Sequence, residues 1–244
     1  YELISRLGSG GMGAVFKARQ TSMDRIVALK ILPRRLARDA SFVERFLREA
    51  RTAGRLSHAN IVSGIDVGEA DDYYYFAMEY VEGETLFQLI KREGGLEGAR
   101  ALGIVTQIAG ALAYAHSHDL IHRDVKPQNV ILAADGTAKL CDLGLARSTE
   151  EDQGLTATGT ALGTPHYIAP EQIEGRGDVD GRADLYALGA TLYHMLAGKP
   201  PFTAPTGAKV MAMHLSEAPP PLAEEVPGVS PALAGLVARL LEKT

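Results

Sequence analysis

Residues 119–132 read DLIHRDVKPQNVIL. Inside this stretch, HRDVKPQN (122–129) sets an acid, Asp124, two cations, Arg123 and Lys126, and an amide, Asn129, within a few positions. Leu120 and Ile121 precede them, and Val130, Ile131 and Leu132 follow. A charged surface turn is the plain alternative, but flanks of this kind read as buried strands that anchor a loop. Asp124, Lys126 and Asn129 stand at relative positions 0, +2 and +5, so one loop can gather them around a point. A carboxylate there can orient a hydroxyl and take its proton. A lysine can neutralise a transferring phosphoryl oxygen, and an amide oxygen can bind a hard cation. His122 reads as a core histidine.

The neighbouring motifs extend the same chemistry. KLCDLGLA (139–146) places Asp142 after an apolar strand and before a glycine. Mg²⁺ takes oxygen ligands, few of them from protein, and Asp142 with Asn129 forms such a pair. A lone D-x-G is otherwise an ordinary turn. LGSGGMGAVFKA (7–18) contains Gly8, Gly10 and Gly13 as G-x-G-x-x-G. In a dinucleotide site the third glycine opens a helix. Here a strand-type run follows, so the reading is a hairpin whose bare backbone approaches phosphates, although a plain glycine-rich turn looks the same. Lys30 ends the apolar VALK, where a lysine commonly snorkels to water. Glu49 could form a weak surface pair with Arg45. It also falls about 20–40° from Phe42 and Ala53 on a helical wheel. That places it at the edge of the buried stripe, where a carboxylate can hold Lys30.

The chain changes character along its length. YELISRLG, AVFKARQ and RIVALKIL read as strands, as do IVSGIDVGE and YYYFAMEYV, the last two joined by Asp71 and Asp72. Residues 41–56 read as an amphipathic helix with Phe42, Phe46, Ala50 and Ala53 at helical spacing and a Ser41–Glu44 capping box. Beyond Glu82–Gly83 the patterns are helical: ARALGIVTQIAGALAYAHSH, DLYALGATLYHMLAG stopped by Gly198 and Pro200–Pro201, and a last helix opened by Ser230–Pro231. APPPLAEEVPG reads as a proline-rich connector. The expectation is an α+β chain of two lobes: residues 1–82, a small antiparallel sheet with one helix, and residues 83–244, larger and mainly helical.

Bulk properties narrow the classes. The chain has 244 residues, 46% of them apolar, enough for substantial cores. A net charge of −5 without a basic block disfavours sequence-independent nucleic-acid binding. The single cysteine, Cys141, excludes an intrachain disulfide. No run approaches the roughly 20 apolar residues of a membrane span, so no membrane contact is expected within this segment. The first residue is Tyr1 and the end is abrupt, so the chain reads as a domain cut from a longer protein.

Taken in order, G-x-G-x-x-G-x-V, A-x-K, a helix glutamate, H-R-D-x-K-x-x-N, D-x-G and A-P-E resemble the eukaryotic-type (Hanks-type) protein kinases over nearly the whole chain. The glycine loop looks most like bacterial Ser/Thr protein kinases, and Lys126 and GTPHYIAPE are typical of Ser/Thr rather than Tyr kinases. The resemblance implies transfer of the γ-phosphoryl group of ATP, with Mg²⁺ or Mn²⁺, to protein hydroxyls. It implies that Gly8, Ser9, Gly10, Gly11 and Gly13 cover the ATP phosphates, that Lys30 contacts the α and β phosphates, and that Glu49 holds Lys30. Asp124 would accept the hydroxyl proton, Lys126 would steady the transferring group, and Asn129 and Asp142 would bind the metal. Leu7, Val15, Ala28 and Ile131 resemble the adenine walls, Met78 the gatekeeper, and Glu79 and Val81 the backbone contacts to adenine. Thr156, Thr158 and Thr160 are candidate phosphorylation sites, regulated through Arg123, because phosphate adds about −2 charge and pairs with arginine. Thr164 would support Asp124 and Lys126, while Glu171 and Asp184 resemble structural anchors. The family further suggests autophosphorylation within a homodimer, and a cytoplasmic catalytic domain in a longer, membrane-anchored protein.

Two departures stand out. The family's D-F-G is Asp142–Leu143–Gly144 here, in which leucine still packs. The chain also stops before the late arginine that pairs with the A-P-E glutamate, and an unpaired partner of a buried pair can cost ~3–5 kcal/mol. A chain extended past Thr244 is therefore expected to melt higher, and equal melting temperatures would refute this. The rival readings are a pseudokinase scaffold and a small-molecule kinase of related fold. Complete catalytic side chains oppose the first. Lys126 and GTPHYIAPE oppose the second.

Overall fold

Alternating β-branched and aromatic residues build the first part of the chain into strands. The structure, a computed structural model, describes residues 1–10, 13–143 and 165–243, without the side chains of Ser9, Arg45 and Glu49. These residues form two compact units that divide between Glu82 and Gly83.

The first unit is a five-stranded antiparallel sheet in the order β1-β2-β3-β5-β4. Its strands are β1 (Glu2–Gly10), β2 (Gly13–Gln20), β3 (Arg25–Ile31), β4 (Gly64–Ala70) and β5 (Tyr73–Glu79). Asp71 and Asp72 join β4 to β5 with φ of 51° and 64°. Two successive left-handed residues form the turn whose twist suits a tight hairpin, and Asp tolerates them better than most residues. Register shifts between Leu3 and Ser5 and between Arg6 and Gly8 bend β1. Tyr1 Oη and Tyr75 Oη both donate to the Asp66 carboxylate of β4, at 2.8 and 3.0 Å. The two edges of the sheet are thereby clasped, and the sheet curls towards a barrel. Ala18, Val27, Leu29 and Ala77 fill its interior, with Ile31, Ile65 and Tyr75 packed on them.

A short helix α1 (Arg34–Ala37) precedes α2 (Ala40–Ala53), which packs on β4. Phe42, Phe46, Ala50 and Ala53 are buried along it. The expected Ser41–Glu44 capping box is absent. The cap is Asp39, whose Oδ1 accepts the N–H groups of Ser41 and Phe42 and the Ser41 hydroxyl. An aspartate two residues earlier is the better acceptor for those donors, and it starts the helix at Ala40. The helix ends at Ala53, short of residue 56, because Gly54 caps it.

The second unit opens with β6 (Gly83–Thr85), which joins β7 (Val130–Ala133) and β8 (Ala138–Leu140) in a three-stranded sheet. Helices α3 (Leu86–Glu93) and α4 (Gly98–His116) follow β6. The turn Pro165–Tyr167 leads to α5 (Pro170–Ile173), α6 (Gly181–Ala197), α7 (Gly207–Ser216), α8 (Leu222–Glu225) and α9 (Pro231–Leu240). Sequence reading passed over α3, although Thr85 and Gln88 form a complete capping box there. The proline-rich connector holds the one-turn helix α8. Gly198 ends α6 at φ 70°, and Ser230 caps α9, as the stop and start signals indicate. Among the described residues no helix is long and apolar enough to cross a membrane.

Buried histidines tie the 165–167 turn and α7 to α6. Tyr167 Oη lies 2.6 Å from His194 Nδ1, and Tyr186 Oη 2.8 Å from His214 Nδ1. Burial depresses both imidazoles to a pKa of about 4. Unfolded, each titrates near 6.5. Between these values the unfolded chain binds more protons, so stability is complete above pH 6.5 and is lost as the pH falls towards 4. At pH 5.5 the two together are expected to remove about 3 kcal/mol, lowering the melting temperature by several degrees relative to pH 7.5. Melts recorded across this range test it, and a flat profile would contradict the burial argument.

Candidate active site

In the second unit the 122–124 loop is built on the fully buried Asp184, in the first turn of α6. Its Oδ2 accepts the His122 N–H at 2.8 Å and its Oδ1 the Arg123 N–H at 2.7 Å. Oδ2 also meets His116 Nε2 at 2.8 Å, at the end of α4. Drawn to one carboxylate, Arg123 adopts φ 63°. That left-handed conformation costs a non-glycine residue roughly 1–2 kcal/mol. Gln172, in α5, holds the following peptide by donating from Nε2 to Arg123 O at 3.0 Å.

His122 is fully buried, as read from the sequence. Its Nδ1 accepts the Asp124 N–H at 3.2 Å, which leaves the proton on Nε2 to donate to Cys141 O at 3.0 Å. The Cys141 N–H donates to Asn129 O at 2.9 Å, and its thiol to the same oxygen at 3.3 Å. One imidazole and one carbonyl therefore bind the 122–129 segment to the residue preceding Asp142. Asp142 itself takes φ 60°. The upstream flank is not the strand expected. Leu120 and Ile121 follow α4 in irregular backbone, with Leu120 N–H on Ala115 O, and only the downstream flank is a strand, β7. The anchoring that a strand ladder would give comes instead from Asp184.

Asp124 Oδ2 accepts from Lys126 Nζ at 2.7 Å and from Asn129 Nδ2 at 3.0 Å. Asn129 Nδ2 also donates to Asp124 O at 2.8 Å. With both amide hydrogens aimed at Asp124, Asn129 presents Oδ1 as its remaining ligand atom. That oxygen and the Asp142 carboxylate make two hard ligands, the number a divalent cation takes from protein when phosphates and water complete its shell. Among the described residues no group of three or more His, Cys, Asp or Glu could hold a metal alone.

In the first unit the antiparallel register sorts the candidates. Val15 lies opposite Lys30, Lys30 opposite Phe76, and Ala28 opposite Met78, all on one face of the sheet. Lys30 is 5% exposed, and an ammonium so buried requires an anionic partner. Leu7 is 47% exposed, and Val81 half-buried. The Glu79 N–H donates to Ser63 O at 2.9 Å and its carboxylate accepts the Ser63 N–H at 3.2 Å. Gly13 has φ 133°, and a Cβ there would lie 2.2 Å from Ile31 O. The hairpin thus demands this glycine whatever it binds. A Cβ at Gly8 would meet nothing within 4 Å, so the backbone is open to an approaching ligand. Ile131 belongs to β7, opposite Thr85 and Lys139.

The protein kinase domain family matches residues 1–244. The chain belongs to this family. Serine/threonine-protein kinase pkn3 of Myxococcus xanthus is 42% identical over 253 residues, covering 100% of this chain and 46% of its own length. Serine/threonine-protein kinase PrkC of Bacillus subtilis is 39% identical over 243 residues, covering 100% and 37%. The crystal structure of the Mycobacterium tuberculosis PknI kinase domain matches with a TM-score of 0.75 at 36% identity, over 99% of this chain and 87% of that one. The chain spans less than half the length of these two curated relatives. The α+β architecture is that of the kinase fold, and the family uses ATP with a divalent metal on protein substrates.

Within the kinase chain, the structure brings Asp124, Lys126 and Asn129 together, and Asp142 follows Cys141, whose N–H is bonded to Asn129 O in the same unit. Val15, Ala28, Lys30 and Met78 share a face in the other. The side chains of Ser9 and Glu49, and Gly11, Thr156, Thr158, Thr160 and Thr164 entirely, lie outside the described residues. Sequence reading missed His116, Gln172 and Cys141, which hold the loop rather than the substrate and carry no local signature.

Proposed function

We propose that this kinase domain transfers the γ-phosphoryl group of ATP to serine or threonine hydroxyls of proteins. The observation that carries the proposal is Asp124, its carboxylate held at 2.7 Å by Lys126 and 3.0 Å by Asn129. So placed, Asp124 orients the substrate hydroxyl and takes its proton as the oxygen attacks phosphorus and the bond to the β-phosphate oxygen breaks. Lys126 offsets charge on the transferring group. Asn129 and Asp142 hold the divalent cation, Mg²⁺ or Mn²⁺, which when bound screens the phosphate charge. Gly8–Gly13 and Lys30 bind the phosphates, with Glu49 steadying Lys30. Leu7, Val15, Ala28, Met78 and Ile131 enclose adenine, with backbone contacts at Glu79 and Val81.

Thr156, Thr158 and Thr160 are the proposed autophosphorylation sites, phosphorylated between two copies of the chain and answered by Arg123. The proposed setting is the cytoplasm, where ATP is available, as the catalytic part of a longer protein, a reading supported by relatives that extend well beyond the matched length. The test is incubation with Mg²⁺ and labelled ATP, with and without a generic basic protein, with the metal chelated in one arm and Asp124→Asn in another. Label should appear on Ser or Thr and vanish in both controls. Nucleotide binding without label in any arm would support the pseudokinase alternative.

A further inference from the structure

Beside its apolar interior, the curled sheet of the first unit has an opening lined by residues of β1, β2, β3 and β5. The opening is a cavity of about 790 Å³, within the ~300–1,000 Å³ range of small-molecule sites, which favour the mouths of barrels. Phe16, Leu29, Ile31 and Leu32 line its depth. Leu3 and Tyr73, 50% and 38% exposed, stand at its edge. The Tyr1–Asp66–Tyr75 clasp pre-forms the wall, since both phenols are already bound to one carboxylate.

The charge at the opening has a sign. Arg6 and Arg35 line it, and Arg34 stacks over the Tyr73 ring at 4.6 Å, while Asp71 at the rim and Asp66 behind the Tyr1 and Tyr75 phenols supply two carboxylates. Three guanidinium groups against two carboxylates leave an excess of positive charge beside a low-dielectric wall, in a chain whose net charge is −5. An apolar depth under a cationic rim is complementary to an amphipathic anion, with an aromatic or aliphatic body and one acidic group.

We propose that this barrel mouth is a second ligand site, for a small amphipathic anion, separate from the nucleotide face. The separation follows from register. Ala14 pairs with Ile31 and Phe16 with Leu29, all towards the cavity, whereas Val15, Ala28 and Lys30 point to the opposite face of the same strands. A ligand in the mouth therefore packs against the back of the strand that carries Lys30.

The probe is anilinonaphthalene sulfonate, titrated by fluorescence into the domain with the nucleotide face saturated by a non-hydrolysable ATP analogue. Dodecanoate and dodecanol serve as competitors. One saturable site is expected, displaced by dodecanoate and at least tenfold less well by dodecanol. Arg6→Ala with Arg35→Ala should weaken the probe about tenfold. Leu3→Trp, which fills the mouth from an exposed position, should abolish binding while the melting temperature stays within a few degrees. Loss of the probe on adding the ATP analogue would overturn the proposal, as would equal competition by dodecanol or binding unchanged in the variants. Self-association lost in Leu3→Trp without any probe binding would assign the mouth to a second copy and overturn it equally.

Discussion

Replacing Asp184 by asparagine is expected to cost about 3–5 kcal/mol of stability and at least ~10²-fold in kcat. The carboxylate is wholly buried and serves the His122 and Arg123 N–H groups and His116 at once. An amide keeps its shape but brings an NH₂ where one of these donors needs an acceptor, leaving a buried N–H unmet. Arg123 then has no reason to remain at φ 63°. Its relaxation moves the adjoining Asp124, and small misplacements of a catalytic group are costly. Denaturant unfolding gives the first quantity. Turnover, measured at a temperature where the variant is fully folded, gives the second. Full activity in a folded variant would show that the loop does not depend on this anchor.

Asp124→Asn is expected to behave differently, with stability nearly intact and kcat lowered by about 10²–10⁴-fold. The side chain lies at the surface of the loop, 29% exposed, and an asparagine oxygen can still accept from Lys126 Nζ or Asn129 Nδ2. What is lost is the base. Because the proton moves only as the reaction proceeds, kcat and kcat/KM should fall together while the KM for ATP changes little. A raised KM with unaltered kcat would mean that Asp124 binds substrate rather than accepting its proton.

Some of this was legible in the chain because it is local. Asp124, Lys126 and Asn129 meet through contacts no more than five residues apart, so their spacing carries their geometry. The strands of the first unit are equally legible from alternation, and their register then places Val15 against Lys30. The anchors were not legible in the same way. Asp184 could be named only by resemblance, since nothing around it indicates that it bonds residues 62 positions away. Gln172 sits beside the more conspicuous Glu171, yet it is Gln172 that reaches Arg123. The Asp39 cap was overlooked because Ser41 and Glu44 satisfy a stronger pattern on paper. Which of two competing acceptors wins is decided by where the backbone enters the helix.

The pairing of β3 carries a rule about insertions. Ala28 and Lys30 face one way and Leu29 and Ile31 the other, so odd and even positions on this strand have different chemistry. Adding one residue between Arg25 and Lys30 exchanges the two sets, turning the ammonium into the apolar interior and the leucine out of it. Adding two restores the alternation and shifts the side chains only along the strand. Length change in this segment is therefore governed by parity rather than by size.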